Sequence, residues 1–419
     1  MIDSVNGQAA SGTLVPPPLY RNRDFMVLWT SQVVSTVGTR VSSIAYPLLV
    51  LAITRSPAQA GLVTFAQTLP FLVLFLPAGA FVDRWDRRRI MVVCEAGRAI
   101  ALGSVAVTAT LGLVTIAQLV IVAFIEGSLF VFFDLSEGAA LPRLVASEQL
   151  PAAMAQNQAR TQGADLVGQP LGGALFGFAR SLPFAFDAAS YLVSFVALLS
   201  IRTPLQGPGT ASGSNLRAEI TEGLRTVWSQ GFLRISVIVV AGQNFAWNAL
   251  TLLLIVRAQD LGADPALIGA MFAFLGGGAL VGAVAAPWVQ GRVRTRVLLV
   301  AISWLWAVQF FALAAVPSVL AIGVILAVAS VAGPIFNVAF GNVVYQLTPD
   351  RLLGRVRSVA KAIAWGTIPL GSLAAGLLAA GIGAQPAIVA LASILVLVAL
   401  VATFAGGIRQ IPGTGTGPS

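Results

Sequence analysis

The chain has no histidine and a single cysteine, Cys94. The first absence removes the commonest metal ligand and proton shuttle, and the second excludes a disulfide framework and a thiolate metal cage. Any proton chemistry must therefore fall to carboxylates. Charge is scarce too: 10% of the 419 residues are charged, against 57% hydrophobic, and the mean hydropathy is +0.88. So few charged groups cannot cover several soluble domains, so much of the exterior must face lipid tails. A soluble enzyme is excluded. What is present is a series of apolar runs of roughly 18 to 25 residues, without the two-residue alternation of a barrel wall. This predicts an all-α polytopic membrane protein. The net charge of +9 would suggest nucleic acid in a soluble chain, but here it matters by its position relative to the spans, and no nucleic-acid partner is expected. Met1 to Leu19 carries Asp3, Pro16, Pro17 and Pro18 in place of a basic start and an apolar run, so the first span is expected to be retained.

Apolar runs and their Gly, Pro and charge punctuation give twelve candidate helices, at about 26–53, 58–82, 90–112, 116–140, 156–178, 183–201, 232–257, 265–289, 297–316, 318–346, 356–382 and 384–406. The expected organisation is an N-terminal tail (1–24), a six-helix bundle (25–201), a linker (202–231), a second six-helix bundle (232–406) and a C-terminal tail (407–419). The linker begins as TPLQGPGTASGSN and continues as an amphipathic segment with Leu216, Ile220, Leu224 and Val227. With a cytoplasmic N-terminus, the inside connections and tails hold Arg21, Arg23, Arg84, Arg87, Arg88, Arg89, Arg143, Arg202, Arg217, Arg225, Arg234, Arg292, Arg294, Arg296, Arg351, Arg355, Arg357 and Arg409. The outside connections hold Arg55, Arg180 and Arg257. Basic residues near span ends resist translocation, so both termini are expected in the cytoplasm of a plasma (inner) membrane protein.

The halves repeat at a nearly constant offset. SPAQAG at 56–61 matches DPALIG at 264–269, and Val82 with DRWDRRRIMVV matches Val289 with QGRVRTRVLLV. With a small gap, Pro170-Leu171-Gly172-Gly173 matches Pro369-Leu370-Gly371-Ser372. Two parallel six-helix repeats are an arrangement used by transporters that rock around a central site.

Gly79, Phe81, Asp83, Arg84, Arg87 and Arg88 lie between the second and third spans, and this stretch resembles the signature loop of the major facilitator superfamily. Asp86 stands where that pattern has its second Gly. Gly79 is expected to let two helices approach, and Asp83 to bind a neighbouring helix or a basic residue as a conformational latch. Resemblance to the exporter branch containing the enterobactin exporter and macrolide efflux proteins extends over about residues 20–406. It rests on Arg21-Asn22-Arg23-Asp24-Phe25 with Leu28-Trp29, on Gly38-Thr39 to Leu51, on Phe133-Asp134 with Ala140-Leu141-Pro142, on Pro183-Phe184 with Asp187, and on Gly354-Arg355-Val356. Gly168, Pro170, Gly172 and Gly173 in the fifth span resemble the antiporter motif with its Pro displaced by one position. Close packing and closure of the periplasmic side are both open readings of these residues. The resemblance implies the twelve-helix major facilitator fold and a proton-driven antiporter, whose relatives expel siderophores, macrolides and other amphiphilic compounds. An uptake symporter on the same fold is the alternative, and a non-transporting receptor a more distant one.

Charges within spans are functional candidates, because a charge near the midplane costs a few kcal/mol unless paired or wetted. Glu126 lies roughly 15 Å into the fourth span and Arg40 at similar depth in the first, which suggests an ion pair that is either the proton-coupling element or a permanent packing contact. Asp134 and Glu137 share a face of the fourth span, with Asp134 assigned to the latch beside Arg84 or Arg87 and Glu137 left open. Asp165 has no evident partner and is a further proton-site candidate. Glu95 and Arg98 read as a local helix pair, and Lys361, the only lysine, as a snorkelling structural residue. Gln243, Asn244, Trp247, Asn248, Phe336 and Asn337 are candidates to line a cavity for an amphiphilic small molecule, or else to pack between helices. No zinc-protease, phosphate-loop or nucleophile-elbow motif occurs, so no cofactor, metal or enzymatic activity is expected. Both halves of the cavity lie in one chain, which predicts a functional monomer.

Overall fold

The computed structural model describes residues 18–206, 216–347 and 350–405, with side chains described at all of these except 216–220, 223 and 342–358. Arg409, most of both tails, the linker's 207–215, and the side chains of Leu216, Arg217, Ile220, Arg351, Arg355, Val356 and Arg357 lie outside the described residues. The described chain is helical, with fourteen α-helices: α1 (Arg23–Thr54), α2 (Pro57–Val73), α3 (Phe75–Arg84), α4 (Arg87–Leu111), α5 (Ile116–Leu144), α6 (Leu150–Phe178), α7 (Leu182–Ser200), α8 (Leu216–Ser229), α9 (Gly231–Asp260), α10 (Pro265–Gln290), α11 (Thr295–Ala315), α12 (Val319–Leu347), α13 (Asp350–Ile382) and α14 (Ala384–Phe404).

Local chemistry sets the helix ends. Asn22, Ser56, Asp86, Thr115 and Asp264 each accept a hydrogen bond from the backbone N–H three residues on, satisfying donors that a first turn leaves free. Gly112 ends α4 at φ +69°, in the left-handed region where a side chain is strained. Between α2 and α3 the chain bends by 57°. Pro77 explains the break, since its ring lacks an N–H and crowds the carbonyl of Val73 four residues back.

Ten described helices are long and apolar enough to cross a membrane, and the bent α2–α3 pair makes an eleventh span. The expected count of twelve is thus met as eleven by length and composition. The helix at the fifth expected position, α6, has 29 residues and starts at Leu150, but Gln156, Asn157, Gln158, Arg160, Gln162 and Asp165 make its first half polar. It packs between α1 and α10, and protein neighbours accommodate what lipid would not.

The packing pattern occurs twice. Helix α1 packs on α6 and α7, α4 on α5 and α7, and α2 on α5; α9 packs on α13 and α14, α11 on α12 and α14, and α10 on α12. The two six-helix halves meet along two seams, α2 with α13 and α6 with α10, which exchange under the same correspondence. The successive helices alternate in direction, so the α3–α4 turn lies at one end, called here the basic end, and the α1–α2 turn at the other. Short α8 packs on α13 and α9, and its Val227 joins a cluster with Phe232, Leu233 and Val237.

Candidate functional site

A cavity of about 670 Å³ lies between the halves, towards the basic end. Gln158 and Gln162 of α6 face it from one half; Asn244 and Trp247 of α9, Ala279 and Ala283 of α10, Trp306 of α11 and Ser330 and Asn337 of α12 face it from the other. The lining residues carry amides, a hydroxyl and indoles but no charge, a composition that suits an amphiphilic small molecule. Trp247 is held edge-on to Trp306 and Phe310, at centroid distances of 5.9 and 5.5 Å. Trp306 Nε1 donates to Ala329 O at 3.2 Å, and Asn244 Nδ2 to Ala364 O at 2.9 Å, which fixes both groups to neighbouring helices.

Of the residues expected here, Asn244, Trp247 and Asn337 line this cavity. Gln243 is buried behind the wall and donates to Ser303 Oγ at 3.1 Å, while Phe336 is buried between Trp306 and Phe340. Asn248 donates to Asn244 O one turn back along α9. Gln158 and Gln162 went unread because a polar helix half gives no sign of which side faces a void.

The charge pairs differ from those expected. Arg40 pairs with Asp165 at 2.6 Å, not with Glu126. Equal depth does not imply facing sides: Arg40 points from α1 towards α6, where Gly168 leaves room for its stem. Glu126 pairs with Arg98 of α4 at 3.5 Å and accepts from Gln67 Nε2 at 2.8 Å and Tyr191 Oη at 3.4 Å. Arg98 also donates to Tyr191 Oη and lies over that ring at 4.0 Å. It forms no close ion pair with Glu95, whose Oε1 accepts from Gln32 Nε2 and Ser194 Oγ at 3.1 and 2.9 Å. Glu137 receives a two-pronged contact from Arg160 at 2.7 and 3.3 Å.

Asp134 pairs with Lys361 across the α2–α13 seam at 3.7 Å, and not with Arg84 or Arg87. The ammonium also lies 4.1 Å from the Trp365 ring centre and 5.0 Å from that of Phe75. Lys361 therefore joins the halves and does not merely snorkel.

In the α3–α4 turn, Asp86 caps α4 through Arg89 N at 2.7 Å, which explains a carboxylate at the usual Gly position. Arg87 donates to Ala139 O at 2.9 Å, and Arg88 to the last-turn carbonyls of α7 at Leu198 and Leu199. The Arg88 guanidinium sits where the C-terminus of α7 leaves carbonyls free. Asp83 is exposed, and its one ion-pair contact among the described residues is with Arg87 of the next turn, at 3.8 Å. Among the described residues, no atom lies within 4 Å of a Cβ placed on Gly79, so none of them makes a close approach there. Arg84 is likewise exposed.

Close approach occurs elsewhere. Gly168 and Gly172 let α6 ride on the backbone of α1, and Gly173 meets Gly269 of α10, a Cβ on Gly173 lying 2.9 Å from Gly269 Cα. Gly61 of α2 meets Gly376 of α13 in the same way, at 2.7 Å. Both seams are thus shut by paired glycines at the end opposite the cavity. Pro170, inside α6, also borders Gly269.

The family model described as transmembrane secretion effector matches residues 13–412. The chain belongs to this family of major facilitator transporters. It is 28% identical over 386 residues to the multidrug efflux pump Tap of Mycolicibacterium fortuitum, covering 89% of this chain and 93% of that one. It is 22% identical over 396 residues to macrolide efflux protein A of Streptococcus pyogenes, covering 92% and 97%. The transporter shares its fold with an inward-facing, unoccupied bacterial homologue of the human lysosomal transporter Spinster (TM-score 0.71, 15% identity, 94% and 98% covered). The same holds for a D-xylose–proton symporter (TM-score 0.72, 15% identity, 93% and 98% covered). This transporter is therefore a multi-pass membrane protein of the major facilitator superfamily, similar to proteins named for multidrug and macrolide efflux.

Proposed function

We propose that the transporter is a proton-coupled exporter of small amphiphilic molecules, such as drugs, siderophores or secondary metabolites, working by alternating access as a monomer in the plasma membrane. The observation that carries this reading is the uncharged cavity of amides and indoles, set in the same helical body as the buried Arg98–Glu126 pair and the half-buried Arg40–Asp165 pair. Similarity to pumps named for multidrug and macrolide efflux supports export and the substrate class. The excess of arginine at the basic end supports placing that end, and both termini, in the cytoplasm. Paired glycines at the opposite end and a cavity towards the basic end then describe a state closed to the outside. The moving bodies are residues 25–201 and 232–406, joined by 202–231.

Glu126, paired with Arg98, is the first candidate to carry the proton, with Asp165 beside Arg40 and Glu137 beside Arg160 as further candidates. Arg87 and Arg88, gripping the ends of α5 and α7, and Asp134 with Lys361 form the latch at the cytoplasmic end. The test is proton movement in everted vesicles with an imposed pH gradient and a panel of amphiphilic antibiotics, dyes and siderophores. A compound that collapses the gradient with wild type but not with Glu126→Gln supports antiport. Proton movement in the direction of co-transport shows the uptake symporter instead, and no flux with any compound points to the receptor.

A further inference from the structure

We infer that Glu95, Glu126 and Asp187 form a buried proton store around Arg98, held in the first six-helix half and separate from the cavity that takes the cargo. The inference rests on the proton-driven export proposed above and says where its protons are held. Glu95 and Asp187 are fully buried, and Glu126 and Arg98 are each 2% exposed. Three carboxyls thus share one guanidinium inside α4, α5 and α7, closed over by α1 and α2. One cation balances one carboxylate, and Arg98 takes Glu126. Among the described residues neither Glu95 nor Asp187 has an ion-pair partner, and an unbalanced charge at such depth is expensive. Bound protons supply the balance.

The hydrogen bonds fit that role. Asp187 accepts from Ser42 Oγ at 2.5 Å and Ser190 Oγ at 3.1 Å, and a hydroxyl can turn from donor to acceptor when the acid takes up its proton. On Glu95 the donors from Gln32, Ser35 and Ser194 all converge on Oε1, while the buried Oε2 has no hydrogen-bond partner among the described residues. Oε2 is therefore the atom free to carry a proton. The other titratable groups facing the store are Tyr46 of α1, Cys94 of α4, Tyr191 of α7 and, further off, Glu137 of α5, whose charge Arg160 balances; α2 contributes the neutral Gln67. None of the three acids lines the cavity, whose walls come from α6 and α9 to α12. Cargo and proton do not then compete for one carboxylate, and each affects the other by moving helices.

The test uses purified transporter in lipid and infrared difference spectra between acid and alkaline buffer. The wild type is expected to show the band of protonated carboxyls in dry surroundings. Glu95→Gln/Asp187→Asn should lose more than half of it, and each single variant a part. Amides mimic the protonated acids, so all three variants are expected to fold. The exposed cap variant Asp264→Asn should leave the band unchanged. A spectrum for the double variant that superposes on the wild type overturns the store.

Fluorescence titration with ethidium tests the separation. Gln162→Ala should weaken binding by about tenfold, whereas Glu95→Gln and Asp187→Asn should stay within about twofold of wild type. Acid variants as weak as Gln162→Ala would mean a shared site and overturn the separation. Failure of the wild type to bind ethidium counts against the proposed substrate class, and the infrared spectra still decide the store.

Discussion

Arg98 is the most consequential single side chain of the first half, because its removal strands buried Glu126, which has no other ion-pair partner among the described residues. Breaking a buried ion pair by removing one partner costs about 3–5 kcal/mol. Arg98→Met is therefore expected to lower the midpoint of thermal unfolding sharply, with part of the loss recovered by adding Glu126→Gln. Equal melting of Arg98→Met and wild type would show that the pair carries no such weight. The sequence pointed to Glu126 as an ion-paired acid but gave it the wrong partner. Depth along a helix can be counted from residue numbers, while the direction of a side chain depends on how the helix is rotated, so Arg40 looked suitable and Arg98 looked like a local companion of Glu95. Three residues apart, Glu95 and Arg98 do share a face, yet each is drawn to a different polar neighbour, Glu95 to α1 and α7 and Arg98 to Glu126 and Tyr191. Asp187 was legible only as part of a family pattern; its burial and its lack of a cation are tertiary facts.

At the scale of helices, the paired glycines decide which surfaces can touch. Gly61→Leu would place a side chain against the backbone of Gly376, where a Cβ alone already lies 2.7 Å from its Cα. The expected result is a parting of α2 from α13 at the end opposite the cavity. Spin labels on Gln59→Cys and Gly381→Cys, in a Cys94→Ala background, should move apart by several ångströms when Gly61→Leu is added; an unchanged distance would show that this contact does not hold the seam. Glycine motifs were readable as motifs, but not their targets. Gly168 and Gly172 serve the α1 contact within one half and Gly173 serves the seam, although all three stand in one run. Gly79, which fits the signature loop, has no close neighbour among the described residues, and the break at Pro77 turns α3 away from the line of α2. Helix α6 was anticipated as a span from its apolar second half, and its polar first half is tolerated because α1 and α10 flank it.

For the molecule as a whole, the repeat in the sequence foretold the repeat in packing, since related segments bury related faces. The two seams could not be foreseen as contacts, but once α2 corresponds to α10 and α6 to α13, one seam implies the other. Lys361 breaks this symmetry, bridging one seam near the basic end while the other gives way to the cavity. As the only lysine, it also offers the only side-chain amine in the chain. An acylating reagent read out by peptide mapping thus has a single internal target, and its rate becomes a clock for the seam. Here the amine is sandwiched by Trp365 and Phe75 beside Asp134, so acylation should be slow. It should quicken several-fold in Asp134→Asn and change when cargo is added. A rate indifferent to both would mean that the halves stay joined at this point throughout, and that the molecule flexes around Lys361 as a fixed pivot.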